Sequence, residues 1–305
     1  MLQSPPLTIT ESEKTLIQSL KSKLFDPATE NYPVPLGSSS VATTIPNMKE
    51  FGSLLSKHLE RSEVDDDLFY IRWLRSTNGD VSKSFDMIIE LIKWRVRLNL
   101  DNLTPSRFED ILNKVDFIYF MGSDNEGCPV ICLDIEKFVP GTIQPYETVE
   151  EMVGFVLEIA LHELLLKSEG KLERFVVVID YYGWGLSSVD TKLDKAILGT
   201  CQGYFPERLK AACLLRAPWL FSTAWAVAKV FLDEKTTEKI MFVYESDMNS
   251  ELKKRIASET LLQKYGGQSN KTFTFKQYLA ELVGPTETLA DYYNKKPIAH
   301  LRKQQ

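Results

Sequence analysis

The chain has 305 residues, with 36 Lys+Arg against 42 Asp+Glu and a formal net charge of −6. Apolar types make up 44% and charged types 26%, which excludes a disordered tail protein, a collagen and a coiled-coil rod. The acidic balance argues against general nucleic-acid binding, which needs a dominant basic surface, and the length allows one large domain or two smaller ones.

The opening MLQSPPLTIT has no cationic stretch followed by an apolar run, so no secretory leader is expected. Residues 10–24 read as a helix, with Thr10 and Glu13 in capping-box spacing and Leu16, Ile17, Leu20 and Leu24 following at helical intervals. Residues 26–47 carry Pro27, Pro33, Pro35 and Pro46 and the run Ser38-Ser39-Ser40, and are expected to be a linker outside the core. A short helix is expected over 49–60. Another covers 66–77, where Leu68, Ile71 and Leu74 alternate with Arg72 and Arg75. A longer one covers 82–98, with Phe85, Ile88, Ile89, Ile92 and Val96 on one face.

After Pro105 the pattern changes. Phe117–Met121 and Val130–Ile135 are short apolar strands joined by Asp124-Asn125-Glu126-Gly127, a hairpin turn. Helix 147–167 follows, then the run Phe175–Ile179, β-branched as a strand buried on both faces requires. Helix 190–203, strand 211–215, an apolar helix over 219–232, strand 240–244 and helical turns to about 263 complete the order. Strands alternating with helices predict crossover units and a largely parallel sheet.

Several chemistries fail on spacing. Cys128, Cys132, Cys201 and Cys213 form no CxxC pair, and with only His58, His162 and His300 no zinc site is expected. Leu166 stands where a zinc-protease helix starting at His162-Glu163 needs its second His, and no GxSxG elbow occurs. Gly183-Trp184-Gly185-Leu186-Ser187-Ser188 approaches a dinucleotide loop but reads first as a tight glycine turn. No catalytic constellation can be assembled, and the chain is expected not to be an enzyme.

Residues 219–232 (WLFSTAWAVAKVFL) are apolar nearly all round. Such a helix is either a core helix or faces something other than water. Its surroundings are more specific. Tyr204-Phe205-Pro206-Glu207-Arg208-Leu209, Ala217-Pro218 with Phe221, Thr223, Ala224 and Trp225, then Phe231-Leu232-Asp233, Thr236, Lys239 and Ile240, and finally Tyr265-Gly266-Gly267, follow in order. Asp124, Gly127, Pro129 and Val130, the Asp180 to Ser187 turn, and Asp67, Arg72, Leu74, Arg75 and Trp94-Arg95 lie upstream. Over about 65–270 this set resembles the CRAL-TRIO lipid-binding family, in its fungal and plant phosphatidylinositol-transfer branch.

The resemblance implies an α/β fold: a helical N-terminal lobe packed on a CRAL-TRIO lobe with a mostly parallel sheet, an apolar lipid cavity and a gating helix. It divides the chain into 1–48, a helical lobe over 49–104, a lipid-binding domain over 105–280 and a tail over 281–305. It implies a phosphatidylinositol headgroup site of Arg72, Glu207, Thr236 and Lys239. It also implies a gate and acyl cavity that include Trp219, Phe221, Trp225, Val227 and Phe231, with Ile131, Phe175 and Val177 on the strands. No metal and no cofactor beyond a bound phospholipid is implied. The expected partners are that lipid, a transient membrane surface and lipid kinases, for a cytoplasmic, peripherally associated monomer. The family's choline-lipid members carry Tyr, Ser and Thr where Ile131, Phe175 and Val177 stand, so a sterol, isoprenoid or haem remains open as the hydrophobe. Cys128 stands where the family has Arg, and Lys210 where Gly is usual. Lys295, Lys296, Arg302 and Lys303 are expected to form a solvated basic tail.

Overall fold

The structure, a computed structural model, describes residues 8–34, 45, 47–219, 221, 225–226, 229 and 234–302. Four helices build the first lobe: α1 Glu11–Leu24, α2 Met48–Ser62, α3 Asp66–Ser76 and α4 Val81–Arg97. Each starts at a side-chain cap. Thr10 and Glu13 form the expected reciprocal capping box of α1, and Asn47, Asp65 and Asp80 cap the other three. The apolar stripes of all four meet in one core holding Ile17, Phe51, Trp73 and Ile89.

The segment between α1 and α2 is more than a linker. Asp26 caps a short 3₁₀ turn, Tyr32 and Glu30 carbonyls accept from Met48 and Lys49, and Val34 and Ile45 are buried in the core. The rest of the Pro/Ser-rich stretch, 35–44 and 46, lies outside the described residues.

After the short helix α5 Glu109–Leu112 comes a six-stranded sheet of β1 Ile118–Ser123, β2 Pro129–Asp134, β3 Phe175–Asp180, β4 Leu209–Leu215, β5 Ile240–Val243 and β6 Phe273–Thr274. The order is β5-β4-β3-β2-β1-β6; β2 to β5 are parallel, and β1 is antiparallel to both its neighbours. The hairpin turn forms because Asp124 Oδ1 accepts from the amides of Glu126 and Cys128, both at 2.9 Å, while Gly127 takes φ +94°. β6 has no counterpart in the sequence pattern: two residues are too few to show alternation.

Residues of alternating parity send the two faces of the sheet into different cores. Ile118, Phe120, Ile131 and Phe175 share the core of the helical lobe and of α6 Tyr146–Lys167; Tyr119, Val130, Cys132, Val178 and Leu215 pack with Met248, Leu261 and Tyr265 on the other side. Helix α6 is buried on nearly every side because it lies between the sheet and the helical lobe. Its Gly154 is required there, since a Cβ would stand 2.7 Å from the Trp94 ring. That ring in turn stacks on Tyr204 at the end of α7 Thr191–Tyr204, with centroids 4.2 Å apart.

Further helices among the described residues are α8 Glu234–Glu238, α9 Met248–Lys253, α10 Phe275–Leu282 and α11 Leu289–Lys295. The expected solvated basic tail is corrected by this part of the fold. Leu289, Tyr292, Tyr293 and Ile298 are buried. Lys296 pairs with Glu163, Lys295 with Glu287, and Arg302 with Asp66 and the carbonyls of Leu59 and Glu63. These cations are paired with groups of the fold, Lys295 while still largely exposed; Lys303 lies outside the described residues. All four cysteines are free, and burial pushes the Cys201 thiol up to about 12 and Cys213 to about 11.

Candidate functional site

Parallel register places the starts of β4 and β5 side by side, and the Ala212 amide donates to the Lys239 carbonyl at 2.9 Å. Glu207 sits in the turn that leaves α7 for β4, held at φ +59°, a conformation uncommon for a non-glycine residue. Its carboxylate accepts from Lys239 Nζ at 2.8 Å, with each side chain about one-fifth exposed (19% and 21%). The Thr236 carbonyl accepts from the Lys239 amide at 3.1 Å, which ties the hydroxyl-bearing residue to the same turn. Glu207, Thr236 and Lys239 therefore come from two elements onto one edge. A cation, a carboxylate and a hydroxyl there suit a phosphodiester and a polyhydroxylated headgroup.

Arg72 lies elsewhere. It is 2% exposed, and its guanidinium is taken by Glu63 at 2.6 Å and Glu173 at 2.5 Å. Arg208 reaches the same two carboxylates, at 3.0 and 2.8 Å, so two arginines and two glutamates close into a neutral ring. Burial works against the charge of Arg72, but Glu173 and Glu63 outweigh it and raise its pKa. Burial and the neighbouring Arg72 lower Arg208, and for Glu173 the two arginines outweigh burial and hold its carboxyl below the usual range. The structure brings Glu207, Thr236 and Lys239 together and gives Arg72 no contact with them among the described residues. What links the two groups is the chain itself, since Arg208 follows Glu207.

Glu63 and Glu173 were not singled out from sequence. They precede α3 and β3 from distant parts of the chain, and no local pattern marks them. Arg208 had a signal, its place in Pro206-Glu207-Arg208. Beside the ring lies a cavity of about 30 Å³, lined by His58, Ser62, Glu63, Arg72, Glu158 and Arg208 among others. This is room for water. Burial and Arg95 lower His58 to about 3, so it faces the cavity neutral.

Of the expected gate residues, Trp219 is 83% exposed and Phe221 is buried in an aromatic cluster. Phe221 lies 4.3 Å from the Tyr181 ring, 5.4 Å from Trp184, 6.2 Å from Phe242 and 6.4 Å from Trp225. Val227 and Phe231 lie outside the described residues. Ile131 and Val177 are register partners on β2 and β3. Ile131 and Phe175 are buried in the core they share with α6, and Val177 is partly exposed.

The glycine turn after β3 is self-contained. Asp180 accepts from the Tyr182 amide at 3.1 Å and pairs with Arg216; Gly183 takes φ +72°, and the Gly185 amide donates to Ser188 Oγ at 3.2 Å. The amides of Tyr182, Trp184, Gly185 and Ser188 are thus satisfied within the turn, as in a tight glycine turn.

A family model described as the CRAL/TRIO domain matches residues 113–267, just over half the chain. The alpha-tocopherol transfer protein-like protein of Mus musculus is 27% identical over 214 residues; the match takes in 68% of this chain and 60% of that protein's length. The SEC14 cytosolic factor of Kluyveromyces lactis is 29% identical over 265 residues, 79% of this chain and 86% of the relative. Among solved structures, the crystal structure of Sfh5 superposes with a TM-score of 0.52 at 17% identity, covering 94% of this chain and 96% of that one. At that identity the likeness speaks for the fold.

Proposed function

The chain belongs to the CRAL/TRIO domain family, and on that premise we propose that it is a non-catalytic lipid carrier that binds one phosphatidylinositol molecule and exchanges it at membranes. The observation that carries this reading is the partly exposed Glu207–Lys239 pair with Thr236 on the same turn. A lipid phosphate takes the Lys239 ammonium, and the released Glu207 carboxylate accepts from inositol hydroxyls. The acyl chains lie in the apolar interior. Each buried CH₂ stabilises the complex by about 0.8 kcal/mol, so escape through water is slow and exchange needs the 219–232 segment to open at a bilayer. Arg72 acts in this scheme by fixing Arg208, and through it the turn that presents Glu207.

The test is mass spectrometry of lipid extracted from the purified chain. Phosphatidylinositol in the wild type and its loss in Lys239→Ala support the reading; a chain that carries no phospholipid overturns it. Trp225→Asp is expected to slow vesicle-to-vesicle transfer at least tenfold while the protein stays folded.

A second reading rests on Ile131, Phe175 and Val177, which give the strands no hydroxyl for a choline headgroup, and on the likeness to the alpha-tocopherol transfer protein-like relative. Under it the ligand is an isoprenoid or sterol-like hydrophobe, and the same extraction would return that molecule.

A further inference from the structure

Two buried imidazoles meet at the seam between the lobes. His58, on α2, is 8% exposed and His162, on α6, is 1% exposed. Both line the pocket of about 30 Å³ beside the arginine–glutamate ring. The Nδ1 atom of each is buried and has no hydrogen-bond partner among the described residues. Buried polar atoms are nearly always hydrogen-bonded, so two such atoms on one pocket call for an occupant.

The chemistry of the two rings identifies it. His162 Nε2 lies 2.6 Å from the Lys296 carbonyl and donates to it, since a carbonyl oxygen only accepts. Burial lowers the pKa of His162 against the opposing pull of the Lys296 and Arg61 carbonyls. The ring is therefore neutral at neutral pH, and with its proton on Nε2 its Nδ1 carries a lone pair that needs a donor. His58 is neutral too, and its Nδ1 wants a donor or an acceptor according to tautomer. An anion offers only acceptors, and a metal cation cannot donate or accept a hydrogen bond. Water does both.

Charge and volume agree with water. The ionised side chains that line the pocket are Arg72 and Arg208 against Glu63 and Glu158, which leaves no net charge to hold an ion. Both arginines are engaged by Glu63, and Glu158 is engaged by Arg95 at 2.5 Å. A water needs about 10–15 Å³ of such space and two to four polar partners. The pocket has room for about two, and a lipid headgroup is far too large for it.

We propose that this pocket is a resident-water site, in which about two ordered waters donate to His162 Nδ1 and complete His58 Nδ1. Glu158 and His162 stand four apart on α6 and so present one face to it. The waters tie α2 and α3 of the helical lobe to α6 and to the Arg208 approach to β4. Both polar networks of the seam border the site: the ring through Glu63, Arg72 and Arg208, and the Arg95–Glu158–Tyr293 cluster through Glu158. The lobes are thus joined by solvent as well as by ion pairs and apolar contact.

The test uses the full chain. A high-resolution structure from crystals grown in sodium bromide is expected to show water within about 3.2 Å of both Nδ1 atoms, with no anomalous bromide peak in the pocket. Bromide there, or either nitrogen without a water against it, overturns the proposal. In solution, oxygen-17 relaxation dispersion counts the waters that a protein holds for long times. His58→Phe keeps a ring of similar size without its nitrogens, and is expected to lose about one such water while its thermal transition stays cooperative. An unchanged count in folded His58→Phe overturns the proposal as well. The wild-type crystal decides the question even where that variant does not fold.

Discussion

Lys210 is the cation that holds the hairpin turn between β1 and β2. The family pattern has Arg where Cys128 stands and Gly where Lys210 stands. In the structure Lys210 Nζ lies 2.5 Å from Asp124 and 2.7 Å from Glu126, so the cation next to the hairpin turn comes from β4 instead of β2. Cys128 is a small buried group, its thiol pushed up by burial and by Asp124. Lys210→Met is expected to destabilise the fold by about 1–3 kcal/mol, because the mostly buried Asp124 keeps its amide partners but loses its cation. Cys128→Arg in that background should recover part of the loss, as read by urea denaturation. Asp194 is exposed on the surface of α7, yet partial desolvation of its carboxyl and the neighbouring Asp190 push it up to about 6. The folded state thus holds this proton more tightly than the unfolded chain, and the group removes stability as pH rises from about 4 to about 6. Asp194→Asn is expected to raise the melting temperature at pH 7, with the gap closing by pH 4; a gap unchanged with pH would refute the assignment.

At the scale of elements, legibility followed periodicity. The capping box at Thr10, the one-sided stripe of 82–98 and the run Phe175–Ile179 each carry their structure in a few adjacent residues, and each element formed within a residue or two of its expected place. What was misread depends on distant partners. β6 exists because Phe120 and Tyr119 of β1 offer it a ladder. The tail was read from its lysines, yet Leu289, Tyr292 and Tyr293 stand at i, i+3 and i+4, an apolar face that was legible. That face docks on α6, where Tyr292 donates to Glu163 at 2.7 Å and Tyr293 donates to Glu158 beside Arg95. Removal of residues 285–305 uncovers Leu289's site and leaves buried Glu163 without Tyr292 and Lys296. The truncated chain is expected to lose at least about 5 kcal/mol and to melt well below the full chain. Tyr293→Phe alone should cost about 1–2 kcal/mol, since Arg95 still holds Glu158.

The whole molecule is two lobes joined through charge as well as through an apolar core. Glu63 and Arg72 come from the helical lobe, Glu173 and Arg208 from the approaches to β3 and β4, and Arg302 closes over the backbone of Leu59 and Glu63 from the tail. Sequence motifs marked Glu207, Thr236 and Lys239 because their order along the chain is local. They could not show that Arg72 lies inside a ring, because its partners lie 9 and 101 residues away. The ring and the Glu207–Lys239 pair should therefore respond differently to mutation. Glu173→Gln leaves two buried guanidiniums on one carboxylate and is expected to destabilise by about 3–5 kcal/mol. Lys239→Ala removes a partly exposed pair and should change stability by about 1 kcal/mol or less, while it abolishes phosphatidylinositol retention. Arg72→Met decides between roles for the arginine. If it braces the lobes, stability falls as in Glu173→Gln and the folded fraction still retains lipid through Lys239. If it grips the phosphate, lipid is lost from protein that remains folded, which ion-mobility mass spectrometry of the native complex can read directly.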